Sequence, residues 1–76
     1  MVALISELCY ALYLLNEIKE VNGSDEDWNF VYGYCKDLYH KIEFMAENPS
    51  MTYEIDRDTH DRVVEKGILY YGREAS

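Results

Sequence analysis

Apolar residues recur at intervals of three and four from Val2 to about Val21. On a 3.6-residue wheel Leu4, Leu8, Ala11, Leu12, Leu15 and Ile18 share one side, flanked by Ile5. The spacing predicts a helix over 2–21. Asn22-Gly23 suits its C-terminus, with Gly23 free to take a positive φ. Ser24 is placed to cap a second helix whose first turn holds Asp25, Glu26 and Asp27. Those carboxylates complement the positive end of the helix dipole, and Asp27 stands at the capping-box position.

The second helix is expected over 25–47, stopping ahead of Pro49 because the residue before a proline avoids the α region. Its broad apolar side gathers Trp28, Val31, Tyr32, Cys35, Leu38, Tyr39, Ile42, Met45 and Ala46. A link of three residues, Asn22 to Ser24, makes the two helices antiparallel neighbours. The leucine stripe of the first is expected against Val31, Leu38, Ile42 and Met45 of the second.

Beyond Pro49 the pattern weakens. Met51 to Arg57 alternates loosely and suits a short extended piece. Asp58 or Thr59 is placed to cap a third helix over 60–71, with Val63, Val64, Ile68 and Tyr71 inward. Gly67 inside that helix costs about 1 kcal/mol relative to Ala. The competing reading is a hairpin, 62–64 and 68–71 joined through Glu65-Lys66-Gly67. Arg73 to Ser76 is expected to fray. The fold class is therefore all-α, a small three-helix bundle with a long antiparallel pair and a shorter C-terminal helix. The alternative is a helical hairpin plus a C-terminal β-hairpin.

Composition fits one domain over 1–76, with 29% charged and 49% hydrophobic residues. A chain of this size buries only about 60% of its unfolded surface, so it gains much from a partner. The apolar opening is interrupted by Glu7 and Asn16 before it is long enough to span a bilayer, and no secretory leader is evident. The expectation is a cytoplasmic protein with reduced thiols, in which Cys9 and Cys35 are small core residues.

Candidate chemistry is sparse. Cys9, Cys35, His40 and His60 have no local spacing that fixes two zinc ligands together, so no metal is expected and the histidines read as surface residues. Asp56 to Asp61 opens like a calcium loop, but such a loop needs glycine at its sixth place and Glu at its twelfth. Asp61 and Gly67 stand there instead. The glycines at 23, 33, 67 and 72 are isolated, and no nucleophile has a positioned base. Neither a catalytic role nor a cofactor is expected.

What changes the picture is the pairing of eight tyrosines with 15 carboxylates against seven Lys and Arg, for a net charge of −8. On the first helix Tyr10 and Tyr13 project with Ser6, Glu17 and Glu20, off the leucine stripe. On the second, Phe30 and Phe44 fall opposite the Val31/Leu38 stripe. A third element covers only one side of the helix pair, so one aromatic set is left as an anchor for another chain. Carboxylates are densest at Asp25–Asp27 and at Glu54, Asp56, Asp58 and Asp61, where helix capping already accounts for part of them.

These residues point to a binding protein with a basic protein partner, itself a nucleic-acid-binding protein if the carboxylates imitate a phosphate array. The charge disfavours direct binding to nucleic acid or to an anionic membrane. Small acidic inhibitors and adaptors, phage-encoded anti-defence proteins among them, share this physical profile. The partner-binding set is Tyr10, Tyr13, Glu17, Glu20, Phe30, Phe44, Glu54, Asp56, Asp58 and Asp61. The alternative is a structural or regulatory homo-oligomer, a homodimer closed through the exposed aromatic faces.

Overall fold

A computed structural model describes residues 2–75, with side chains for 2–72. Three helices follow in order, α1 (Val2–Glu20), α2 (Asp25–Glu47) and α3 (Arg57–Ala75). The bundle is all-α, and the residues of the alternative hairpin lie inside α3. α1 and α2 are antiparallel, and α3 returns alongside both to give a rod of 45 × 17 × 17 Å.

The helix boundaries follow from local chemistry. α1 ends in a Schellman arrangement, with Gly23 N donating to Ile18 O at 2.7 Å and Asn22 N to Lys19 O at 3.2 Å. The left-handed residue is Asn22, at φ 54°, and not Gly23 as expected. Asn tolerates this region because its short polar side chain bonds locally. Gly23 is needed for space: a Cβ there would lie 2.6 Å from the Tyr70 ring and 2.8 Å from Ile18. Ser24 caps α2 as expected, its Oγ accepting from Asp27 N at 3.1 Å. At the other end the backbone and side-chain nitrogens of Asn48 both donate to Phe44 O, closing α2 before Pro49.

α3 starts earlier and ends later than 60–71. Its cap is Asp56, not Asp58 or Thr59. Oδ1 accepts from Asp58 N, Oδ2 from Thr59 Oγ1 at 2.7 Å, and the Asp56 carbonyl receives the His60 N–H at 2.8 Å. The helix continues to Ala75, past the point where fraying was expected, and Ser76 lies outside the described residues.

The core is rotated from the expected stripes. Leu4, Ala11, Leu14 and Ile18 of α1 pack on Val31, Tyr34, Cys35, Leu38 and Met45 of α2, with Val63 and Tyr70 from α3. Leu12 and Ile5, expected inside, are exposed, as are Tyr32, Tyr39 and Ala46 of α2 and Ile68 of α3. Leu14, Tyr34 and Tyr70 take their places. The physical reason is that α3 seats on the side of the hairpin carrying Glu7, Tyr10 and Leu14, where hydroxyls and a carboxylate find partners. It therefore leaves the Leu12 side open.

Gly67 is buried against Tyr10, and a Cβ there would collide with the Tyr10 hydroxyl. Gly67→Ala gains about 1 kcal/mol of helix propensity yet forces a stiff ring to move, an overpacking cost of about 1–3 kcal/mol. Urea unfolding is expected to show a net loss of stability, partly recovered by adding Tyr10→Phe. A more stable single variant would contradict this packing.

Candidate binding surfaces

Two polar nodes hold α3 in place. In the first, Glu7 Oε1 on α1 accepts from Tyr34 OH on α2 at 2.9 Å and meets His60 Nδ1 on α3 at 2.6 Å. A carboxylate only accepts, so the His60 hydrogen sits on Nδ1. Burial, reinforced by Glu7, pushes the Tyr34 phenol well above its ordinary range, so it remains a donor. In the second node Asp27 Oδ1 pairs with Lys66 Nζ at 2.7 Å and Oδ2 accepts from Tyr70 OH at 2.6 Å. Tyr70 OH in turn receives Ser24 N at 3.3 Å. The capping-box residue has been turned toward α3.

Several expected site residues are drawn into this framework. Tyr10 is half-buried over Gly67, and burial followed by the Glu7 charge raises its phenol. Glu17 is half-buried. Phe30 packs on the core and lines a cleft of about 350 Å³ between α2 and α3 with Glu26, Asp27, Arg62, Glu65 and Lys66. His60 is a bundle residue, whereas His40 is exposed and lies edge-on to Tyr39 at 6.1 Å. Cys35 is buried, which raises its thiol, but Cys9 is exposed, contrary to its expected core position. Among the described residues no three His, Cys, Asp or Glu gather to hold a metal ion. Nor is any helix long and apolar enough to cross a membrane.

Two surfaces remain. The first lies where the 48–56 segment folds back over the end of α2. Tyr53 N donates to Met45 Sδ, which sets the Tyr53 ring edge-on to Phe44, centroids 5.9 Å apart. Phe44 and Tyr53 stay 41% and 37% exposed, with Met51 exposed beside them in sequence. Glu54 follows directly, then the cap Asp56, and Asp58 and Asp61 in the first turns of α3, all solvent-facing. Thr59 and the backbone amide of Asp58 bond to Asp56 and hold it below the usual carboxylate range. None of the ion pairs among the described residues uses Glu54, Asp58 or Asp61. Sequence reasoning missed Tyr53; Tyr13 and Glu20 are exposed elsewhere on α1.

The second surface is the side of the α1–α2 hairpin that α3 does not cover. Each helix carries two adjacent seams spaced three and four. The inner pair, Leu4-Glu7-Ala11-Leu14-Ile18 and Val31-Tyr34-Leu38-Met45, lies inside the bundle. The outer pair, Ile5-Leu8-Leu12-Leu15 and Tyr32-Cys35-Tyr39-Ile42-Ala46, ranges from buried Cys35 to Leu12 at 49% and Tyr39 at 56% exposure. Two adjoining hollows of about 410 and 320 Å³ share Leu12 as a wall.

Compared with known protein families, characterised proteins and solved structures, the chain matches none.

The Asp27–Lys66–Tyr70 node predicts a pH profile. Lys66, then Tyr70, hydrogen-bonds Asp27 and holds its carboxyl below the usual range, while Asp27 holds the Lys66 ammonium above its own. A depressed acid stabilises fully above its unfolded pKa and loses that contribution as pH falls through the folded one. A raised base stabilises fully below its unfolded pKa and loses it as pH rises past the folded one. Asp27→Asn is expected to cost about 1 kcal/mol at neutral pH and close to nothing only once the pH is below the depressed folded pKa, at about pH 2. Urea midpoints at the two pH values check this; an equal cost at both would refute the ion pair.

Proposed function

We propose that the protein is a non-catalytic binding protein whose acidic, aromatic end docks on a basic protein and inhibits it by occupying its surface. The observation that supports this reading is the exposed Phe44–Tyr53 pair followed by Glu54, Asp56, Asp58 and Asp61. Paired rings give contact area at low entropic cost, and their faces attract Lys and Arg side chains. Lys41 Nζ already stands 6.0 Å from the Tyr53 ring centroid. Carboxylates next to the rings add charge-assisted hydrogen bonds, and the net charge of −8 steers a cationic surface inward. A groove that ordinarily holds phosphates is the surface best matched to such a field, which makes nucleic-acid-handling proteins the favoured class of partner.

Capture from a cell lysate at graded salt tests the proposal, with identification of what is retained. The expected result is a basic protein held at low salt and released as salt rises. Phe44→Ala and the triple change Glu54→Lys, Asp58→Lys, Asp61→Lys each lower retention tenfold or more, whereas Glu20→Lys on the distant end of α1 does not. Capture indifferent to salt and to both variants would sink the reading.

A further inference from the structure

We infer that the uncovered side of the hairpin is closed by a second copy of this chain, through a two-fold axis passing near Cys9 and Tyr39. The inference does not rest on the basic-partner reading, because it uses a different face.

Two observations select this occupant. The outer seams repeat the three-and-four spacing of the inner ones, so the surface they fit is another pair of helices with the same spacing. Two hairpins facing one another supply that pair and complete a four-helix core, with each α3 outside. Charge comes second. The two hollows are lined without a single carboxylate in a protein that carries 15, and their charge-bearing residues are Lys36 and His40. A basic partner gains nothing there. A second copy brings an uncharged seam, and an axis beside Tyr39 sets Lys36 of one protomer level with Glu43 of its partner.

The axis falls midway between Ile5 and Leu12 on α1 and midway between Tyr32 and Ala46 on α2. Cys9, exposed on the edge of the seam, is thereby brought close to its own copy.

Light scattering on the purified protein at micromolar concentration tests the inference. A dimer is expected, and it should persist at high salt because its contact is apolar. Leu12→Lys and Tyr39→Lys should each give a helical monomer. Ile68→Lys, at a site 70% exposed on the outer side of α3, should remain dimeric. A short bis-maleimide should link two wild-type chains through Cys9 and should fail with Cys9→Ser or Leu12→Lys. A wild-type monomer at every concentration overturns the inference, as does a dimer indifferent to both seam variants or a monomer that takes up a foreign protein through Leu12. None of these outcomes alters the salt-graded capture expected of the Phe44–Tyr53 end.

Discussion

One carboxylate oxygen, Glu7 Oε1, joins all three helices. It accepts from Tyr34 on α2 and meets His60 on α3, and it sits in the inner seam of α1 between Leu4 and Ala11. A carboxylate so placed is tolerable only when hydrogen-bonded, so the groups that satisfy it must approach from its side of the hairpin. That requirement determines which flank α3 occupies. With α3 there, Leu14 and Tyr34 become core, Leu12 and Tyr39 become surface, and the start of α3 arrives beside the folded-back 48–56 segment. Both proposed binding surfaces are consequences of where this one acid finds its partners.

The limits of α2 were legible because they are written in short-range chemistry. Ser24 with Asp27 three residues on, and Asn48 ahead of Pro49, bound α2 at the residues expected. The facing of the helices was not legible. α1 and α2 each carry two seams of three-and-four spacing side by side, and hydrophobic periodicity alone does not choose between them. The choice between them rests on Glu7, Tyr34 and Tyr70, polar groups whose burial depends on partners far away in sequence. A carboxylate in the middle of an apolar stripe was the available signal. The start of α3 was misread for a related reason: Asp56, Asp58 and Thr59 are all competent caps, and only the packed structure selects Asp56.

For the candidate site the division is similar. Phe44, Glu54, Asp56, Asp58 and Asp61 were singled out by their position off the core stripe and by charge density, and the fold leaves them exposed along one stretch of chain. Tyr10 and Phe30 were singled out by the same rule, yet α3 packs over them. Tyr53, which gives Phe44 its aromatic neighbour, lay in a segment whose pattern was too weak to place. The two faces then divide the chemistry of the surface. Charge dominates at the end of the rod, and apolar area dominates along its flank.

The contact between Gly67 and Tyr10 has a mechanical meaning. α3 presents one notch, and the Tyr10 hydroxyl is the peg that fills it. Sliding α3 by a single turn would bring Val63 or Val64, or Tyr70 or Tyr71, against the peg, and none of these offers room. The third helix is thus indexed along the rod and not merely attached to its side. The height of its first turn is set from a point ten residues away, so the carboxylates at its start cannot drift relative to the Phe44–Tyr53 pair.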